Sequence, residues 1–214
     1  MAAVGILGGT FNPLHVGHLV CAQDARAQLG LDRVVLMPVH RPPHKDLLDD
    51  AGVDERLAMC ELAAAREPWL AVSTLEAERG GASYTVDTLR VLSAQAPQDE
   101  LTFIVGGDMA YSFASWREPE AILELATLAV AERDGVARRD IAARLEPFMG
   151  GDSSGRQRAR VRFFDMPRLD ISSSDVRRRV AAGQPIRHLV PDAVGAHIAE
   201  RGLYRAAVSA EVQR

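Results

Sequence analysis

A doubly wound α/β fold with a mostly parallel sheet is what this sequence predicts, on three observations. Short apolar runs alternate with longer stretches of helical composition along most of the chain. The first unit is a strand, a Gly-containing loop and then a helical pattern. The length of 214 residues and the 47% hydrophobic content suit one globular unit with a full core.

The elements follow in order. Val4 to Leu7 reads as a short buried strand, Gly8 onward as a loop, and Val16 to Leu29 as a helix. Val34 to Met37 is the second strand; the loop from Pro38 to Gly52 follows it, and Val53 to Arg66 has helical composition with few breakers. Leu70 to Leu75 reads as strand, Thr85 to Ala94 as helix, Leu101 to Val105 as strand, and Pro119 to Leu125 as a short helix. Leu128 to Ala131 and Val161 to Phe164 are further strands, separated by a helix from Arg138 to Leu145. This order predicts a Rossmann-like sheet with helices on both faces. Residues 1–204 are expected to form a single domain with a small helical part over about 171–204, and 205–214 a flexible tail. The Gly-, Ser- and Arg-rich stretch Gly150 to Arg160 reads as an exposed loop.

Composition limits the function classes. A formal net charge of -4 lacks the basic excess of a dedicated duplex-binding protein. The Arg-rich run Arg156 to Arg162 carries no interleaved aromatics and reads as a solvated face, so no nucleic-acid partner is expected. Cys21 and Cys60 both fall in helical stretches, which supports neither a disulfide framework nor a Cys-rich metal site and suggests a reducing, cytoplasmic setting. There is no signal-peptide pattern and no membrane-length apolar run. Lys45 is the only lysine in a chain that otherwise uses Arg, and it lies in a Pro/His-rich loop.

Ligands of such sheets bind beyond the carboxyl ends of the strands, so the loops after strands should carry the chemistry. Gly8-Gly9-Thr10-Phe11-Asn12-Pro13-Leu14-His15-Val16-Gly17-His18 occupies the first of these loops. Glycines let a backbone approach a phosphate, and a helix N-terminus offers amide donors and a positive dipole to an anion. His15 and His18, three residues apart, can share the face of the first turn and donate hydrogen bonds to that anion. A plain turn with a surface histidine pair, or a metal site, would use the same residues. The segment lacks Gly-x-Gly-x-x-Gly and a Walker-type Gly-Lys-Ser/Thr, and the chain has no His-Glu-x-x-His; dehydrogenase, P-loop kinase and zinc protease readings are thereby disfavoured.

The second candidate is Ile171-Ser172-Ser173-Ser174-Asp175-Val176-Arg177. Ser172 with Asp175 has the spacing of a capping box, which accounts for the serines and the aspartate but does not require Arg177. Alternatively the hydroxyls and helix-start amides meet a polyphosphate, and Arg177 one turn later neutralises charge on its leaving group.

Together these two motifs resemble the signatures of the nucleotidyltransferase superfamily, with Asn12 standing where the commoner pattern has Asp. Nearly end to end the chain is most similar to the bacterial nicotinate-nucleotide adenylyltransferases, through Pro42-Pro43-His44-Lys45, Ser83-Tyr84-Thr85-Val86-Asp87-Thr88-Leu89, Gly106-Gly107-Asp108, Trp116 and Ile186-Arg187-His188-Leu189-Val190-Pro191. The resemblance implies transfer of the adenylyl group of ATP to nicotinate mononucleotide with release of pyrophosphate. It implies ATP contacts from Gly8, Gly9, Thr10, Phe11, His15, His18, Ile171, Ser172, Ser173, Ser174 and Arg177, with His15, His18, Arg177 and Lys45 as the catalytic set. Nicotinate mononucleotide would meet Ser83, Tyr84, Thr85, Asp108, Trp116 and Lys45.

The residue chemistry fits that substrate. Trp116 can stack on a pyridine ring, and the amides opening the helix at Tyr84 and Thr85 can bind a carboxylate. Their ordinary roles are a core anchor for Trp116, an N-cap for Ser83, a turn or helix cap for Asp108 and a solvated charge for Lys45. Mg²⁺ is expected as cofactor, held by substrate phosphates and water, with Asp108 reaching it only through water and no dedicated protein cage. A noncatalytic nucleotide sensor on the same fold, or an acceptor such as nicotinamide mononucleotide or phosphopantetheine, are the rival readings. A homo-oligomer is compatible with the sequence.

Overall fold

The structure is a computed structural model that describes residues 1–42, 49–132, 138–149 and 160–205. Along the chain run β1 (Ala3–Gly9), α1 (Val16–Leu29), β2 (Arg33–Pro38), α2 (Val53–Ala64), β3 (Leu70–Val72), α3 (Leu75–Arg79), α4 (Thr85–Gln95) and β4 (Glu100–Gly106). Then follow α5 (Gly107–Tyr111), a 3-10 turn over Phe113–Ser115, α6 (Pro119–Leu125), β5 (Ala126–Glu132), α7 (Arg138–Met149), β6 (Val161–Asp165), α8 (Ser173–Ala181) and α9 (Asp192–Glu200).

The strands form one parallel sheet in the order β3-β2-β1-β4-β5-β6. The order reverses between β1 and β4, so the crevice for a ligand opens beyond their carboxyl ends. Successive strand residues face opposite sides and feed two cores. Leu7, Leu36, Ile104 and Ala129 pack with residues of α1, α2, α8 and α9. Ile6, Phe103, Val105 and Val130 pack with residues of α4, α6 and α7. Both sheet faces are therefore covered, as expected for a parallel sheet built from crossovers.

Three expectations are corrected. Gly8 and Gly9 are not loop residues: they end β1, paired with Met37 and Pro38 of β2, and the loop begins at Thr10. Leu70 to Leu75 is a strand only to Val72; Ser73 and Thr74 turn the chain, with the Ser73 hydroxyl accepting from the Leu75 amide at 3.3 Å, and a one-turn helix begins at Leu75. Gly107-Asp108 opens a helix instead of a turn. The boundaries predicted at Val16, Leu29, Pro119 and Leu125 coincide with those observed.

Two ionic groups tie α2 to its neighbours. Arg56 is fully buried on the inward face of α2, in line with Met59, Cys60 and Ala63. Its guanidinium donates to the carbonyls of Thr10 at 3.0 Å, Val39 at 2.7 Å and His40 at 3.1 Å, and to the Asp50 carboxylate at 3.0 Å. The second group docks α9 on α2. Glu55 is paired with His197 at 2.6 Å and receives two Arg201 bonds on Oε1 at 2.9 and 2.6 Å, while Val194 and Ile198 are buried beneath.

Arg56→Ala strands buried carbonyls and the Asp50 charge, and should lower unfolding free energy by about 3–5 kcal/mol and the melting temperature by roughly 6–20 °C. Arg56→Lys should rescue little, because one ammonium cannot satisfy four divergent acceptors. Melting curves of the two variants check both statements. The Arg201 hydrogen bond, and then that of His197, hold the Glu55 carboxyl below its ordinary 4.5. A lowered carboxylate contributes stability above 4.5 that is lost as pH falls through the folded-state value. Between pH 7 and pH 3, wild type should therefore lose more melting temperature than Glu55→Gln, and parallel curves would show that the group contributes nothing.

Candidate active site

The loop after β1 is shaped by Phe11. Its backbone has φ 50, and its buried ring lies where a side chain on Gly9 would come within 2.9 Å. Glycine at 9 thus makes room for the loop's own aromatic anchor. The Asn12-Pro13 peptide is cis. His15 then caps α1, buried to 4% exposure, and its ring stacks on that of His18 with centroids 3.7 Å apart. Gly17 leaves room for this arrangement, since a Cβ there would stand 3.1 Å from the His15 ring. The His15 amide donates to His18 Nδ1 at 3.1 Å. An accepting Nδ1 places the imidazole proton on Nε2, so His18 is organised as an Nε2–H donor. Phe11 packs edge-on against the same ring at 5.0 Å.

One expectation about this helix start changes. The sequence leaves its amides open to an anion, but the Val16 amide already donates to the Leu189 carbonyl at 2.9 Å. The returning C-terminal segment takes that donor, and the His18 amide is likewise engaged on the His15 carbonyl at 3.0 Å.

The serine-rich motif divides its tasks. Ser172 caps α8: its hydroxyl accepts from the Asp175 amide at 3.1 Å and donates to the Asp175 carboxylate at 2.8 Å. That hydroxyl, and then Arg178, hold the Asp175 carboxyl below the usual range. Ser173 and Arg177 turn to the first motif. The Ser173 hydroxyl donates to the Pro13 carbonyl at 2.9 Å, and Arg177 Nη1 donates to the Asn12 carbonyl at 2.8 Å. Arg177 Nη2 reaches the Ser174 hydroxyl at 3.2 Å, and its buried Nε meets no hydrogen-bond partner among the described residues. Among the described residues Arg177 bonds only neutral oxygens, so no carboxylate cancels its charge. Two segments some 160 residues apart thus form one cationic, donor-rich group. Ile171 packs half-buried against the core beside them.

On the other side of the switch point, Asp108 is exposed in the first turn of α5, directly after β4. Its carboxylate lies 2.8 Å from where a side chain on Gly106 would stand, so only glycine allows that approach. Tyr84, not Ser83, is the N-cap of α4. Ser83 is buried; its hydroxyl accepts from the His40 amide at 3.0 Å and its amide donates to the Arg41 carbonyl at 2.9 Å, fixing the turn that presents Tyr84 and Thr85. Trp116 lies half-buried against Phe113 at 5.5 Å and Phe103 at 6.1 Å, and Arg117 covers the Tyr84 ring at 4.8 Å. Trp116 is therefore anchored by the core on one side. Lys45 lies outside the described residues, as do Pro43 and His44, residues 150–159 of the Gly/Ser/Arg-rich loop, and 206–214 of the tail.

Arg56, Tyr204 and the Leu189 carbonyl were given no role by sequence reasoning. Arg56 left a signal, because it continues the i, i+3, i+4, i+7 stripe of Met59, Cys60 and Ala63. Tyr204 left none: its hydroxyl reaches Asn12 across 192 residues of sequence. Among the described residues no group of three or more His, Cys, Asp and Glu is placed to hold a metal ion, and no helix is long and apolar enough to cross a membrane.

The cytidylyltransferase-like family model matches residues 6–179. A relative from Citrifermentans bemidjiense is 43% identical over 210 residues, covering 94% of this chain and 97% of its own, and one from Roseiflexus sp. is 44% identical over 204 residues, covering 95% and 98%. Both are named "Probable nicotinate-nucleotide adenylyltransferase". In fold the chain is similar to the Plasmodium falciparum nicotinic acid mononucleotide adenylyltransferase complexed with NaAD, with TM-score 0.76 at 17% identity over 95% of this chain and 98% of that one. The same enzyme complexed with APC gives TM-score 0.74 at 16% identity, with the same coverage. With the stacked histidines, the Arg177 group and the sheet order all in place, the chain belongs to the cytidylyltransferase-like family, among the nicotinate-nucleotide adenylyltransferases.

Proposed function

We propose that this enzyme transfers the adenylyl group of ATP to nicotinate mononucleotide, giving nicotinate adenine dinucleotide and pyrophosphate in NAD biosynthesis. The observation that carries the reading is the junction of Arg177 and Ser173 with the Asn12-Pro13 carbonyls beside the His15–His18 stack, at the sheet's switch point. An uncompensated guanidinium, an Nε2–H imidazole and the start of a nine-residue helix form a site for a polyphosphate.

In the reaction a 5′-phosphate oxygen of the acceptor forms a bond to the α-phosphorus of ATP in line. The bond from that phosphorus to the oxygen bridging to the β-phosphate breaks, and the electron pair leaves with pyrophosphate. No side chain need become covalently attached; the protein aligns two anions and stabilises the charge that develops. His18 donates to the α-phosphate region, with His15 holding its ring in place. Arg177 and the amides at Ser173 and Ser174 hold the departing phosphates, and Lys45 is a further clamp. Gly8, Gly9, Thr10, Phe11, Ile171 and Ser172 form the walls and caps of this half.

Tyr84 and Thr85 at the start of α4 receive the pyridine carboxylate, Trp116 offers its free side to the ring, and Asp108 receives a ribose hydroxyl. Mg²⁺ bound with ATP would neutralise phosphate charge. The exposed Asp108, directly after β4, would reach such an ion through water. Cys60 lies in the core, where burial pushes its thiol up, which suits a reducing, cytoplasmic setting.

The deciding assay is pyrophosphate release from ATP and Mg²⁺ with nicotinate mononucleotide, nicotinamide mononucleotide or phosphopantetheine offered separately. Preference for the first is expected; preference for another moves the acceptor, and no release with any sinks the enzymatic reading. His18→Ala should lower kcat by about 10²–10³-fold with an unchanged far-UV spectrum, as for loss of one preorganised donor. Near-normal turnover would remove His18 from the reaction.

A further inference from the structure

We propose that Tyr204 is a positioning residue for the ATP site, acting through Asn12 to fix the carbonyl on which Arg177 rests. The inference rests on the function proposed above for its choice of ligand, and on geometry for the rest. Asn12 is 3% exposed and every polar atom of its side chain is engaged. Its Oδ1 accepts from the Ala51 amide at 3.2 Å and from the Tyr204 hydroxyl at 2.7 Å, while its Nδ2 donates to the Asp49 carbonyl at 3.1 Å. The orientation of that amide is not free: turned over, Nδ2 would face an N–H and Oδ1 would face a carbonyl. With Oδ1 as acceptor, Tyr204 must be the donor. The main-chain carbonyl of the same residue then accepts from Arg177.

Asn12 is thus held by three distant segments: residues 49–51 and Tyr204 grip its side chain, and α8 grips its backbone. An aspartate, the commoner residue in the resembling motif, could accept from Tyr204 and Ala51 but could not donate to Asp49. The anchor behind Tyr204 is firm. The Leu203 amide closes the end of α9 on the Ile198 carbonyl at 3.0 Å, Tyr204 takes φ 60, and α9 is docked on α2 by Glu55. Burial also pushes the Tyr204 phenol up, so its proton stays in place through the working pH range. The hydroxyl therefore couples the C-terminal helix to the loop bearing the phosphate-binding group, without touching the substrate.

The test compares full-length wild type with Tyr204→Phe, which keeps the buried ring and removes only the donor. The readouts are equilibrium affinity for ATP and for nicotinate mononucleotide, the KM of each, and the melting temperature. Loss of one hydrogen bond to the loop should weaken ATP affinity and raise its KM by about 3–10-fold. The constants for nicotinate mononucleotide should change less than about twofold, because Tyr84 and Trp116 stand on the other core. In an Asn12→Ala background the effect of Tyr204→Phe on ATP should vanish if the coupling runs through Asn12. A lowered melting temperature with unchanged ATP constants would overturn the proposal and leave a purely structural tyrosine, and so would an equal loss for both substrates. If wild type binds ATP but transfers to no acceptor, the enzymatic reading fails while the ATP affinity of Tyr204→Phe still decides this one. If wild type does not bind ATP, both fall.

Discussion

The buried guanidinium of Arg56 is the constraint on which the site depends. The loop after β1 and the segment after β2 both leave the sheet at its carboxyl edge with carbonyls that no strand can satisfy. Arg56 supplies four of its N–H groups to them and to Asp50, from a helix that packs on the sheet. A buried charge is costly unless it is fully paired, and a buried carbonyl is costly unless it has a donor. Each problem solves the other here, and the solution fixes where Thr10 turns toward His15.

From that fixed loop the rest follows by contact. Thr10 sets Phe11, Phe11 packs on His18, and His15 stacks on His18 while donating to its Nδ1. The carbonyls of Asn12 and Pro13 face α8, whose Arg177 and Ser173 donate to them. Among the described residues the cation is therefore held by neutral groups, which leaves its charge for the polyphosphate proposed above. An ion pair there would have held it as well but would have cancelled the field the chemistry needs.

The two halves of the proposed site draw on different cores. His15, His18 and Arg177 stand over the layer containing Leu14, Val176 and Ile198, and Tyr84 and Trp116 over the layer containing Val86, Leu89 and Phe113. The sheet's change of order between β1 and β4 brings both layers to one crevice. A fold that separates the supports can vary the recognition of one substrate with little effect on the other.

The order of strands and helices was legible in the sequence because it depends on local periodicity, and the boundaries at Val16, Leu29, Pro119 and Leu125 coincide with those observed. The two motifs proposed to meet phosphate each lie at the start of a helix, a placement that local sequence also decides. What the sequence could not assign was the use of individual polar atoms. Ser172 caps a helix while Ser173, its neighbour, crosses to Pro13; the Val16 amide is spent on Leu189; Asn12 answers to Tyr204 and Arg177. Those choices belong to tertiary structure alone, because a hydrogen bond is decided within about an ångström by partners that only the docking of distant helices on one sheet brings together.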